Sequence, residues 1–256
     1  MKAVFLSDAH LKKVSDPGYG KCLQFFSTLA DTGAVKGDTG PVPINLLVIA
    51  GDFFDFWFER NGRIYPEFKD IVESIVKLEE KGIRICICEG NHDFFLADFF
   101  EKRLGIEVYP DGLELALDDL NVFVSHGDTV DTQKDYLALR RFLRSRFTYR
   151  LQRTLPLKLL WSIARLSSAA SREISPRVQQ RLVDAMHDFA QKKFADGFDA
   201  VILGHSHLAE LTEEKYRQKT KTFITLGDWI TQYVYLLYED GLFSLRRFEE
   251  GCKHKT

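Results

Sequence analysis

The sequence has no stretch approaching the ~20 apolar residues that a membrane span requires, so the chain is not expected to cross a bilayer. Its opening residues, Met-Lys-Ala-Val-Phe-Leu-Ser-Asp, carry no basic leader segment, long apolar run or small-residue cleavage site, and no secretory signal is expected. Cysteine is scarce, at four residues in 256. Cys86 and Cys88 alternate with isoleucine in Arg-Ile-Cys-Ile-Cys-Glu, and Cys22 and Cys252 do not supply the second close pair that a zinc ribbon needs. The thiols therefore read as free and buried, in a reducing compartment. Internal repeats and low-complexity segments are also lacking. What remains is a soluble α/β chain, 45% hydrophobic, with one sizeable core, in the cytoplasm or at a membrane surface.

The net charge is only −2, but it is unevenly spread. Between Lys134 and Arg181 twelve basic residues face two acidic ones, Asp135 and Glu173. That segment carries +10, so the rest of the chain carries −12. Segregation on this scale bears on partners rather than on fold.

Short apolar runs rich in β-formers alternate with helical patterns. The runs 3–7, 46–50, 84–89, 122–125 and 200–203 are too short for core helices and read as strands buried on both faces. Lys21 to Ala30 and Glu67 to Lys81 have helical spacing, and Gly82 stands where it would close the second helix. Asp240-Gly241 between two β-rich runs signals a hairpin. These features predict an α/β sandwich with a mixed sheet. Residues 133–197 interrupt the alternation with apolar residues at helical intervals, a break forced at Pro156, and a Ser175-Pro176 helix start. They read as a helical insertion within a single domain spanning 1–256.

Nearly every apolar run ends in residues that bind metals: Asp8-Ala9-His10, Gly51-Asp52, Gly90-Asn91-His92-Asp93, His126-Gly127-Asp128 and Gly204-His205-Ser206-His207. Open α/β sheets gather their sites at the carboxyl ends of strands. Residues two apart on extended chain share a face, so Asp8 is expected beside His10 and His205 beside His207. Imidazole and carboxylate together suit Mn²⁺, Fe²⁺ or Zn²⁺ rather than Ca²⁺. Seven candidate ligands are too many for one catalytic zinc, which uses three protein ligands and a water. A pair of divalent metals, expected as Mn²⁺, would use them all and clamp a phosphoryl group. The run Phe53 to Phe58, directly after Asp52, reads equally as core or as a ligand platform.

These motifs resemble those of the calcineurin-like metallophosphoesterases. The resemblance implies an αββα sandwich, here with a helical cap. It implies that Asp8, His10 and His207 hold one metal, that Asn91, His126 and His205 hold a second, and that Asp52 bridges them. It also implies that His92 faces the substrate, oriented by Asp93. Gly51-Asp52-Phe53-Phe54-Asp55-Phe56-Trp57, Asn91-His92-Asp93-Phe94, His126-Gly127-Asp128-Thr129 and Leu226-Gly227-Asp228-Trp229 further resemble the UDP-2,3-diacylglucosamine hydrolases of lipid A synthesis. That likeness implies a nucleotide-linked glycolipid cleaved at its pyrophosphate, and a cap over its acyl chains. Asp135, Tyr136, Arg141, Arg165 and Ser171 are then candidate substrate contacts. The implied location is peripheral, on the cytoplasmic face of the inner membrane, the basic helices meeting its anionic surface. One position departs: this chain has His92, the state general to the superfamily, where the best-known members of that family carry Arg.

Two rival readings stand beside this one. The same metal site would serve a nuclease or cyclic-nucleotide phosphodiesterase, the +10 segment binding a phosphate backbone. Its basic residues alternate with Leu and Phe, however, which suits a membrane better, so nucleic acid is not an expected partner. A non-enzymatic scaffold predicts eroded ligands, and every ligand is in place. No oligomeric state is read from the sequence.

Overall fold

Strands that are apolar at every position have two faces to cover, and the fold covers both. The computed structural model describes residues 1–130, 134–168 and 176–249. In chain order it contains β1 (Ala3–Leu6), α1 (Pro17–Thr32), β2 (Ala34–Lys36), β3 (Pro41–Pro43), β4 (Leu46–Ala50), α2 (Lys69–Glu80), β5 (Arg84–Cys88), α3 (Phe100–Leu104), β6 (Glu107–Tyr109), β7 (Leu113–Leu117) and β8 (Leu120–Ser125). There follow α4 (Lys134–Leu143), α5 (Arg146–Thr154), α6 (Leu157–Ser168), α7 (Pro176–Ala195), β9 (Ala200–Leu203), β10 (Ala209–Tyr216), β11 (Lys219–Leu226), β12 (Val234–Glu239) and β13 (Leu242–Arg247).

Two mixed sheets face each other. The first has six strands in the order β13-β12-β1-β4-β5-β6, with β1, β4, β5 and β6 parallel. The second has five, β10-β11-β9-β8-β7, with β8, β9 and β11 parallel. Ala3, Phe5, Val48 and Cys86 of the first sheet meet Val122, Val124, Ile202 and Ile224 of the second in the central layer. The alternate residues of the first sheet, among them Val4, Leu6, Leu47 and Ile49, pack against α1 and α2. Those of the second, Phe123, Val201, Leu203 and Phe223, pack on Met186, Ala190 and Phe194 of α7. The layers are thus αββα, as the family resemblance implies.

Local signals work as read. Gly82 has φ 85° and its N–H donates to Glu79 O, closing α2. Asp240 and Gly241 both have positive φ in the tight turn between β12 and β13. Cys22, Cys86 and Cys88 are free and buried, while Cys252 lies outside the described residues. Phe53, Phe54, Phe56 and Trp57 are core, stacked among Phe68 and Phe100, which decides against a ligand platform.

The helical stretch divides. α4, α5 and α6 lie over the loops that follow β4 and β5: Arg60 Nη2 donates to Gln152 O and Leu155 O, and Trp161 Nε1 to Phe58 O. α7, also within 133–197, instead forms the outer layer on the second sheet, because its apolar stripe is needed to bury Phe123 and Phe223. A break the periodicity does not reveal separates α4 from α5, where Ser145 caps α5 by accepting from Thr148 N. Pro156 separates α5 from α6. Among the described residues no helix is long and apolar enough to cross a membrane.

Candidate metal centre

β1, β4, β5, β8 and β9 end at one edge of the sandwich, and five of the seven histidines of the chain gather there. Three sets of donor atoms draw together within 4.8 Å among the described residues: Asp8, His10 and His207; Asp52, His126 and His205; and His10, Asp55 and His92. The first two are made wholly of expected ligands. Asp52 joins these two, its Oδ2 lying 3.7 Å from His10 Nε2 and 3.2 Å from His126 Nε2. Asn91 Oδ1 is 3.0 Å from the same His126 nitrogen. All seven residues expected to bind metal therefore converge.

Their backbone was not expected. Asp8, His10, Asp52, His205 and His207 all have φ between 43° and 66°, in the left-handed region. Asp8 thus meets His10, and His205 and His207 reach the two neighbouring donor sets, through a left-handed path past the strand end and not through extended chain. Such conformations cost on the order of 1 kcal/mol or more per non-glycine residue and persist where the surroundings over-determine them. Here the loops after β1 and β4 zip together: Asp8 N donates to Gly51 O, His10 N to Asp52 O and Leu11 N to Phe53 O. Gly90 seats the third loop, because a Cβ there would collide with the amide and carboxylate of Asp52.

Asp93, expected to orient His92, is engaged elsewhere. It is fully buried, and its carboxylate accepts the N–H groups of Asp52, Phe53, Phe54 and Gly90. It pins the β4 and β5 loops to each other. Four donors use up its lone pairs, so none is left for an imidazole. His92 is instead held by its Nδ1, 3.2 Å from Asp55 O. A carbonyl only accepts, so Nδ1 carries the proton. The Asp55 carboxylate lies about equally far from His10 Nδ1 (3.9 Å) and His92 Nδ1 (4.0 Å). The Asp228 loop supports the opposite side: Gln232 Nε2 donates to His207 O, and Trp229 N to Asp8 O.

The electrostatics suit a cation. Burial alone would raise the Asp52 carboxyl, but the charge on His126 beside it prevails and holds it well below the usual range. Burial opposes a charge on His126, yet Asp52 wins and lifts it to about 10. Burial, aided by His126, lowers His205 to about 4. Burial lifts Asp93 to about 7, with Asp52 contributing. His126 Nδ1 faces Ala50 O at 3.2 Å, which fixes Nε2 as the nitrogen that a metal would take in place of a proton. Asp8 Oδ1 and His10 Nε2 are buried without a hydrogen-bond partner, 3.9 Å apart. Orphaned oxygen and nitrogen donors at that spacing are what a borderline divalent ion satisfies, so the residues fit the metal.

The candidate substrate contacts scatter. Asp135 is exposed in the first turn of α4, and Tyr136 donates its hydroxyl to Asp128. Arg141 lines a cavity of about 510 Å³ with Phe95, Leu137, Arg144 and Tyr149. Arg165 is exposed on α6, and Ser171 lies outside the described residues. Three side chains to which the sequence assigns no role sit closer to the candidate ligands: Asp55, Glu89 and Asp128, each within three residues of one. Their signal was position: Asp55 and Asp128 stand within the quoted motifs, and Glu89 directly before one.

A family model described as calcineurin-like phosphoesterase matches residues 1–209. The UDP-2,3-diacylglucosamine hydrolase of Haemophilus influenzae (strain PittGG) is 28% identical over 240 residues, covering 92% of this chain and 94% of its own. The protein of the same name from Neisseria gonorrhoeae (strain ATCC 700825 / FA 1090) is 29% identical over 242 residues, covering 93% of each. Among solved structures, one titled a novel archaeal phosphodiesterase aligns with 96% of this chain and 99% of its own, at 14% identity and TM-score 0.49.

Proposed function

This chain belongs to the calcineurin-like phosphoesterase family, a metal-dependent hydrolase, and we propose that it cleaves the pyrophosphate of UDP-2,3-diacylglucosamine to UMP and 2,3-diacylglucosamine 1-phosphate. The observation that carries this reading is the reach of the match to relatives of that name. It leaves about a twelfth of the chain outside, too little to omit residues 133–197, so the likeness includes the helical stretch as well as the widespread metal motifs.

Asp8, His10 and His207 would hold one cation, Asn91, His126 and His205 a second, and Asp52 would serve both, as its position between His10 and His126 supports. The nitrogen and oxygen donors suit Mn²⁺. Divalent cations held there supply Lewis-acid polarisation of a phosphoryl group and acidify water toward neutral pH. His92, its Nδ1–H held by Asp55 O, has Nε2 left to face the substrate; as the imidazolium it would give the Nε2 proton to the leaving phosphate or offset its charge.

The helices over the site give the lipid reading its physical support. Leu139, Phe142, Phe147, Leu151, Leu159 and Ile163 on α4–α6 are each 45–64% exposed, beside exposed arginines. Exposed apolar side chains interleaved with basic ones suit acyl chains and an anionic bilayer surface, which supports a working position at the cytoplasmic face of the inner membrane. The test is incubation of the Mn²⁺-loaded protein with UDP-2,3-diacylglucosamine in detergent. UMP and the lipid monophosphate should appear together. Hydrolysis of a soluble phosphodiester without UMP release would overturn the substrate and keep the chemistry.

A further inference from the structure

Two arginines one helical turn apart fasten both loops that carry Asn91 and His126. Arg140, on α4, donates from Nε to Asp128 Oδ2 at 2.6 Å. Arg144, one residue past the end of α4 and still donating its N–H to Arg140 O, reaches Glu89 Oε2 at 2.8 Å and Gly90 O at 2.7 Å. Asp128 stands two residues after His126, and Glu89 two residues before Asn91. Both carboxylates are buried, their side chains 3% and 5% exposed. The i, i+4 spacing aims both guanidinium groups from one face of one helix.

Buried ion pairs are a poor device for stability alone, since apolar residues of similar volume hold a helix at least as well. What the planar guanidinium adds is direction: Arg144 forks between a carboxylate and a carbonyl, which fixes the β5 loop in orientation as well as in distance. We propose that Arg140 and Arg144 are positioning residues for the metal centre, clamping the Asn91 and His126 loops so that Asn91 Oδ1 and His126 Nε2 stay 3.0 Å apart and form one tight cation site. Asp8, His10 and His207 lie on loops to which neither arginine is bonded among the described residues, so the clamp acts on one site of the two. The inference rests on the ligand assignment proposed above.

The test removes each pair together, so that no charge is stranded: Arg144→Met with Glu89→Gln, and Arg140→Met with Asp128→Asn. The new amides still accept from Leu96 N and from the Tyr136 hydroxyl. Metal-stripped protein is titrated with Mn²⁺ by calorimetry, and the spin-coupled signal of a manganese pair is followed by electron paramagnetic resonance. Wild type should take two ions. Each double variant should keep one ion at wild-type affinity and bind the other about 10–100-fold more weakly, the usual effect of losing a partner that orients a ligand, with the coupled signal delayed to higher metal. Arg144→Lys, which offers Glu89 a charge but cannot fork, should fall between, and it carries the test if a double variant fails to fold. Exposed Arg150→Met on α5 should change neither site. Unchanged affinities in a variant that merely melts earlier would overturn the proposal, as would equal weakening of both ions. Fewer than two ions in wild type would overturn the two-cation reading and the clamp with it.

Discussion

Replacing Asp93 with alanine separates two roles that the motif Asn91-His92-Asp93 leaves confounded. If the carboxylate orients His92, its loss should slow the reaction and spare the fold. The structure points the other way. Oδ1 accepts from Asp52 N at 3.0 Å and Gly90 N at 2.9 Å, and Oδ2 from Phe53 N at 2.8 Å and Phe54 N at 3.0 Å. Alanine strands four buried donors, each at a cost of about 1–3 kcal/mol if nothing replaces the acceptor. Two effects reduce the sum. The buried carboxylate no longer has to be desolvated, the burden that lifts it to about 7, and the loops relax toward new partners. A net loss of about 3–5 kcal/mol remains, in the upper tail for single substitutions. At about 2–4 °C per kcal/mol for a domain of this size, Tm should fall by about 10 °C. The assay is calorimetric melting of metal-stripped protein, so that metal binding does not enter. His92→Ala serves as the comparison and should melt with wild type. An Asp93→Ala protein melting within about 2 °C of wild type while losing turnover would refute the pinning role and restore the orienting one.

Two further outcomes are expected. His92→Ala should keep its metal content and lose about 10²–10⁴ in kcat, as for a missing general acid or base; His92→Arg should be milder if charge is what counts, and equal losses would assign His92 to proton transfer. Serine at Phe142, Phe147 and Ile163, which are 55%, 64% and 53% exposed and hence contribute little to the core, should weaken sedimentation with anionic liposomes and hydrolysis of the lipid-linked substrate. Hydrolysis of a soluble phosphodiester should persist, and equal loss on both substrates would count against a lipid role for these helices.

Much of the fold was legible because burial on two faces writes itself into short strands. β1, β4, β5 and β9 have no exposed position after Arg84, and only a two-sided layer allows that. α7 was assigned to the insertion because it follows the cap helices without a change in period. What gives it to the sandwich is a surface elsewhere, Phe123 and Phe223 on strands far off in sequence, and periodicity reports a stripe but not its partner. The break at Ser145 failed for a different reason. An N-cap is a single hydrogen bond, and here the apolar spacing runs through it.

The site shows the same division between what residues are and what holds them. The candidate ligand types were readable because metal chemistry restricts them to few side chains. The left-handed backbone at Asp8, His10, Asp52, His205 and His207 was not, since Asp and His enter that region without declaring it. Nor were the groups that hold the site's loops in place, because their bonds run to or from main-chain atoms. Asp93 grips four amides, Arg144 a carbonyl, and Asp55 presents its own carbonyl to His92. Side-chain motifs are blind to such bonds, for any residue supplies the same amide. It follows that substitutions at Asp93, Glu89 or Arg144 should disturb the centre through loop geometry while every metal-binding residue stays unchanged, so an intact ligand set in a relative does not by itself establish an intact site.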